Sequence, residues 1–138
     1  MQPELINFSK DQVEKVWPLA KNLVQKACQT NGGFDETHIL EFLKGGHMQL
    51  WLVINKEDNK VLCVCVTEIR EYPKFKVCDI RIATGEQYKL WFNYMDQICE
   101  WAKSNGCKKM EIFARPGWER IFRNKGFTKT HVQIEREL

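Results

Sequence analysis

No stretch of this sequence is apolar over anything near the ~18 residues of a membrane-crossing helix. The N-terminus, MQPELINFSKDQ, has no basic start followed by an apolar run. A soluble chain working in the cytoplasm is therefore expected. There is no CxxC pair among the six cysteines and no histidine at zinc-ligand spacing from any of them, which argues against a metal site and, without a secretion signal, against a disulfide framework. Cys63 and Cys65 instead alternate with valines, where a free thiol behaves as a small hydrophobe. Charge of one sign is scarce too: 21 basic against 18 acidic residues leave +3, too little for a nucleic-acid surface unless it is concentrated. The sequence offers no Ser-His-Asp order, no paired glycosidase carboxylates and no nucleotide P-loop, and His38, His47 and His131 are scattered.

What is present suits one domain. A chain of 138 residues with 43% hydrophobic and 12% aromatic content buries roughly two-thirds of its unfolded surface, and halves of it would be too small to stand alone. From Lys103 onward the basic residues exceed the acidic by five, whereas the rest of the chain is slightly acidic, so an anionic ligand is expected near the C-terminal third.

The hydrophobic period divides the chain. Leu5 to Phe8 reads as a short strand, and Ser9 with Gln12 as a capping box opening a helix. Val13, Val16, Trp17, Ala20, Leu23, Val24 and Ala27 form its apolar face, and Pro18 is expected to kink or split it. After Asn31-Gly32-Gly33, Asp35 can cap a second helix through Leu43, stopped by Gly45-Gly46. Met48 to Ile54 and Val61 to Ile69 then read as an antiparallel hairpin, followed by a turn at Tyr72-Pro73-Lys74 and a strand from Lys76 to Ala83. One long helix is expected from Glu86 to Lys103, with Trp91, Tyr94, Met95, Ile98, Trp101 and Ala102 on its buried stripe and Asn105-Gly106 as its stop. Lys109 to Ala114 is a further strand, Pro116 to Asn124 a short helix, Gly126 its end, and Thr128 to Glu135 alternates as a last strand. The order of elements describes a single α/β domain over 1–138, with a central sheet that is mostly antiparallel and carries helical crossovers late.

Chemistry concentrates in Asp79-Ile-Arg-Ile-Ala-Thr-Gly-Glu-Gln87, where a strand runs through Thr84-Gly85 into a helix. Free N–H groups and the dipole at a helix start attract anions, and Gly85 would let a phosphate approach the backbone. Thr84 with Gln87 also makes a capping box that needs no ligand. A second segment, Gly117-Trp-Glu-Arg-Ile-Phe-Arg-Asn-Lys-Gly-Phe127, is a short helix ending in Gly-Phe.

Together with the order of elements, the Thr84-Gly85 loop and the Ile-Phe-Arg-Asn-Lys-Gly-Phe ending resemble the Gcn5-related N-acetyltransferase (GNAT) superfamily, whose motif there is Leu-Tyr-x-x-x-Gly-Phe. In size, and in the Arg-Pro-Gly-Trp-Glu-Arg stretch from Arg115, the chain looks most like the short GNAT-like proteins of tailed bacteriophages. The resemblance implies a splayed pair of parallel strands holding acetyl-CoA as acyl donor. Ile80, Arg81, Ile82 and Ala83 would supply the strand edge for the pantetheine, and Thr84, Gly85, Glu86, Gln87 and Lys89 (with Tyr88 between) the pyrophosphate loop. Arg115 to Lys125 would form the neighbouring wall, with Arg120, Arg123 and Lys125 towards the CoA phosphates. The implied activity is acetyl transfer to an amine of a protein or a small molecule.

Such transfer needs a base for the amine proton and an acid for the departing thiolate. Glu68 and Asp79 are the candidate bases, acting through water, and Tyr88 or Tyr94 the candidate acids. Asp79 and Arg81, on one strand face, are equally an ion pair. The family's frequent acid, the Tyr of its motif, falls on Phe122, and two of its loop glycine positions fall on Thr84 and Glu86. These departures support an alternative reading, a catalytically inactive GNAT-fold phage protein that binds a host or virion protein. Nucleic-acid binding is disfavoured because Glu111, Glu119, Glu135 and Glu137 interrupt the basic third. Any homodimer would use exposed edges of Trp51 or Trp118.

Overall fold

The computed structural model describes residues 2–29, 33–85, 88–114 and 116–138, with only the backbone of Tyr88 and Pro116. Strands β1 (Pro3–Phe8), β2 (Gln49–Asn55), β3 (Lys60–Glu71), β4 (Lys76–Gly85) and β5 (Cys107–Ile112) form one sheet in the order β1-β2-β3-β4-β5. The first four pair antiparallel and β4–β5 is parallel. This is the mixed α/β sheet expected from the sequence. The parallel pair follows from the crossover through α3 (Tyr88–Asn93) and α4 (Met95–Ser104), since parallel neighbours cannot be joined by a hairpin.

The sheet is covered on both faces, which is why β2 and β3 read as near-continuous apolar runs. Leu50, Leu52, Val64 and Val66 meet α1 (Val13–Cys28) and α2 (Glu36–Lys44) through Val13, Trp17, Ala20, Val24 and Leu43. On the other face Trp51, Val53, Cys63, Cys65 and Ile80 meet Trp91, Phe92, Met95, Ile98 and Phe122. The last of these lies on α5 (Pro116–Arg123). Trp51 packs edge-on against Trp101 at 5.1 Å and donates its indole N–H to Thr67 Oγ1 at 3.0 Å. At 5% exposure it offers no free edge to a second molecule.

Four local expectations are corrected. Gln12 does reach back to the Ser9 N–H (3.2 Å), but the Ser9 hydroxyl donates to Gln12 as well, closing a turn ahead of the helix, and α1 starts only at Val13. Pro18 does not split α1, which runs continuously past it. The apolar stripe on both sides of Pro18 is buried and outweighs the one backbone hydrogen bond that proline removes. The long helix is two: the Tyr94 N–H bonds three residues back to Trp91 O at 3.1 Å, ending α3, while its hydroxyl donates to Pro3 O at 2.9 Å. That long-range anchor ties the break to β1. Finally, Thr128 to Glu135 forms no strand, and its side chains are exposed. The Asp35 cap of α2 is as expected, with Asp35 Oδ1 accepting from the N–H groups of Thr37 and His38 at 2.9 and 3.1 Å.

Gly85 closes β4 with φ +151°, and a Cβ there would lie 2.4 Å from Leu62 O and 2.8 Å from Cys63 Cα. Gly85→Ala is therefore expected to cost about 1–3 kcal/mol, the strain of a disfavoured backbone angle plus displacement of β3. Urea unfolding measures this, and a variant as stable as the parent would show that the end of β3 yields freely.

Candidate active site

Two features of β4 build the site. Its register against β3 steps from Val66↔Ile82 to Thr67↔Ile80, leaving Arg81 with no partner on β3. Such a bulge bends a strand and re-aims its side chains. Its pairing with β5 ends at Ile80↔Ile112, while β4 itself runs on to Gly85. From Arg81 to Gly85 the strand thus has β3 on one side and, among the described residues, no strand on the other. β5 itself ends at Ile112, so its last residue is still paired and β4 continues alone past it.

Where β5 ends lies a cluster of charges. Glu68 and Asp79 stand directly opposite each other on β3 and β4, a pairing that destabilises a sheet unless it is countered. Arg70 counters it: its Nε donates to Glu68 Oε1 at 2.9 Å and its Nη2 reaches Asp79 Oδ2 at 3.1 Å. Arg81 Nη1 donates to the same Oδ2 at 3.3 Å, and its guanidinium lies 5.2 Å over the Phe34 ring, a geometry that favours a cation. Asp79 is 1% exposed, and its Oδ1 has no hydrogen-bond partner. Burial pushes the Asp79 carboxyl above the usual aspartate range, and Arg70 and Arg81 offset this only in part.

Of the other candidates, Ile80 is buried, Ile82 and Thr84 half-buried, and Ala83 exposed along the free edge. Lys89 is exposed on α3. Glu86, Gln87 and the Tyr88 side chain lie outside the described residues. The helix expected to supply an anion site is the six-residue α3, too short for a strong dipole. Gly85 faces β3 rather than open space, so its lack of a side chain serves strand packing. Arg123 is bound to Glu119 on its own helix at 2.5 Å.

Two partners escaped the sequence reading. Arg70 was legible in principle, two residues from Glu68 on one strand face. Phe34 was not, because only the folded loop before α2 brings it to Arg81.

Phe122 is 4% exposed. Its ring lies 5.7 Å from Trp91, 5.1 Å from Phe92, 6.2 Å from Trp118 and 5.2 Å from Phe127. Four aromatic rings crowd it, so a hydroxyl added to the ring would be buried among them. Phe122→Tyr is expected to lower stability by about 1–3 kcal/mol, the cost of an unpaired buried hydroxyl, and to leave turnover unimproved. Faster acetyl transfer would show that the ring reaches the reacting groups.

Among the described residues no helix is long and apolar enough to cross a membrane, and no cluster of His, Cys, Asp and Glu is arranged to hold a metal.

No protein-family model and no curated protein matches the chain. Solved structures do. An acetyltransferase from Trypanosoma brucei superposes with a TM-score of 0.72 at 13% identity, over 99% of this chain and 100% of that one. The glucosamine-6-phosphate N-acetyltransferase of Arabidopsis thaliana gives 0.70 at 10%, over 99% of each. An aminoglycoside N-acetyltransferase in complex with CoA gives 0.69 at 16%, over 99% of this chain and 95% of that one. With the parallel β4–β5 pair in a five-stranded mixed sheet, these likenesses give the chain the GNAT acetyltransferase fold.

Proposed function

We propose that this chain is a GNAT-superfamily N-acetyltransferase that moves an acetyl group from acetyl-CoA to an amine of a protein or a small molecule. The observation that carries the reading is the free edge of β4 from Arg81 to Gly85, beginning where β5 stops pairing. Unpaired strand N–H and C=O groups suit a ligand that carries amides, as pantetheine does, by the same hydrogen bonding that adds a peptide to a sheet edge. Acetyl-CoA, when bound, supplies a thioester carbonyl open to attack and a thiolate able to leave.

Ile80, Arg81, Ile82 and Ala83 are the edge that holds the donor; Thr84 to Gln87 and Lys89 are the loop assigned to its phosphates, with Arg123 of α5 as a further cation for them. Asp79 is the base. Arg70 and Arg81 both hold Oδ2, which leaves Oδ1 to take the amine proton through a water, and a raised pKa strengthens that oxygen's hold on a proton. Glu68 keeps Arg70 in place and is the alternative base. Tyr88, opening α3, is the candidate acid. A cytoplasmic setting fits a donor made and used there, and the Arg115 to Arg120 stretch is the support for a bacteriophage source.

Thermal melting with CoA tests the reading before any acceptor is known. At about 100 times its Kd a ligand that binds only the native state adds roughly 2.7 kcal/mol, a rise of several degrees for a domain of this size. A curve unmoved by millimolar CoA and acetyl-CoA would withdraw the proposal. The buried Phe122 favours a second reading, a GNAT-fold protein without turnover that binds a host or virion protein. CoA binding with no acetyl transfer to any of a panel of amines and proteins would select it.

A further inference from the structure

Phe34 belongs to no strand or helix, yet its ring is fixed on several sides. It meets the Phe42 ring edge to face at 5.9 Å and the His38 ring at 6.3 Å, and it packs against the core between the sheet and the first two helices. The backbone just after it is held as well, since Asp35 caps α2. Over this ring lies the Arg81 guanidinium, 5.2 Å from its centre. The bulge makes the contact possible. Arg81 has no partner on β3, and it and Ile82 both reach the α1–α2 side of the sheet, Arg81 to Phe34 and Ile82 to the core.

We propose that Phe34 is a positioning residue for acetyl transfer: its ring holds Arg81 on Asp79 Oδ2 and so keeps Oδ1 open for the acceptor's proton. The role rests on the acetyltransferase reading above. Arg81 gives Oδ2 one bond of 3.3 Å, longer than the 3.1 Å of Arg70. A single long bond does not fix a flexible side chain, whereas an aromatic face beneath the guanidinium supplies a second fixed point. An Arg81 free to slide would bring its remaining N–H groups to Oδ1, which is buried and has no partner of its own, and would occupy the lone pairs that the base needs.

The other groups around Asp79 do not hold Arg81. On β3, Glu68 binds Arg70, and Arg70 takes Oδ2 as well. Glu111, opposite Asp79 on β5, is a like charge. The neighbouring Cys78 thiol is pushed up to about 12 by burial and stays neutral. On α2, Glu36 accepts from Gln25 and His38 Nδ1 from the Asp35 N–H. The charged residues of α1, and Lys89 on α3, are exposed.

An NMR titration of the full chain with carboxyl-labelled aspartate tests this without donor or acceptor, the Asp79 signal being the one that Asp79→Asn removes. Phe34→Leu keeps an apolar side chain but loses the ring face. It is expected to move the Asp79 titration to higher pH, because one of the two cations on Oδ2 is loosened. In acetyl transfer the rising limb of rate against pH should shift the same way, costing about threefold in rate at a fixed pH on that limb, the worth of a cation–π contact at a partly exposed site. The plateau at high pH and the affinity for CoA should stay as in the parent. Phe34→Tyr keeps the ring and should restore both curves. With Arg81→Gln already in place, Phe34→Leu should add no further shift, since the two residues act as one unit. A Phe34→Leu carboxyl that titrates with the parent's overturns the proposal, and so does a shift that survives Arg81→Gln. A melting curve unmoved by CoA, beside the expected carboxyl shift, overturns the role in transfer through the acetyltransferase reading and not through the coupling of Phe34 to Asp79.

Discussion

Trp91→Asp is expected to remove at least about 4 kcal/mol of stability and to leave a chain that does not melt cooperatively near the parent's temperature. Trp91 is 3% exposed, with Phe92 at 5.3 Å and Phe122 at 5.7 Å, both edge to face. Truncating a buried Trp costs about 3–5 kcal/mol in lost burial and cavity. The aspartate adds a charge that no described cation near these rings neutralises, and an uncompensated buried charge is among the largest single-residue penalties. A domain of this size has only about 5–15 kcal/mol in all, so the variant sits at the edge of folding. Trp91→Phe keeps an aromatic ring in the cluster and should fold with a loss nearer 1–2 kcal/mol, which distinguishes damage to this core from a general intolerance of change. Chemical denaturation of both variants decides. A Trp91→Asp protein with the parent's midpoint would mean that α3 does not pack on the sheet.

Which parts of this architecture could be read in advance follows from the range of the forces involved. Strands β2 and β3 were legible because alternating Leu50, Leu52 and Trp51, Val53 feed two cores at once, so the pattern is dense and local. The α2 cap was legible because Asp35 and the amides it binds are two and three residues apart. The break at Tyr94 was not, since the bond that holds it runs to Pro3 across 91 positions. Nor could alternation in Thr128–Glu135 say whether an edge would be there to receive it: period two describes a segment's willingness to pair, while pairing needs a second backbone. For the site, the Asp79–Arg81 spacing announced an ion pair that is present. It could not announce the bulge at Arg81, which depends on how β3 counts its residues against β4. That β5 stops beside Ile80 was not legible, because the end of a pairing is set by neither strand alone.

The Asp79 carboxyl yields the largest expected effect on chemistry. Asp79→Asn keeps the shape and the hydrogen bond from Arg81 but cannot take a proton, so acetyl transfer is expected to fall by about 10²-fold or more, the range of a general base. CoA binding should hold, since the donor is placed by backbone edges. In the parent the rate should rise with pH through a pKa above the ordinary aspartate value of about 3.9, because burial raises it. Stability must move the other way. A carboxyl whose native pKa is raised holds its proton in the folded state after the unfolded chain has released it. Its contribution is complete below the unfolded pKa and is lost as pH climbs through the native one. Measured as the difference between parent and Asp79→Asn in denaturant unfolding, so that other carboxylates cancel, the parent's advantage should shrink across that interval and stay level above it. A parent that gains on the variant as pH rises would mean that Arg70 and Arg81 overcome burial and hold Asp79 as a permanent anion. The base would then have to be Glu68, and Glu68→Gln, not Asp79→Asn, would carry the loss of rate.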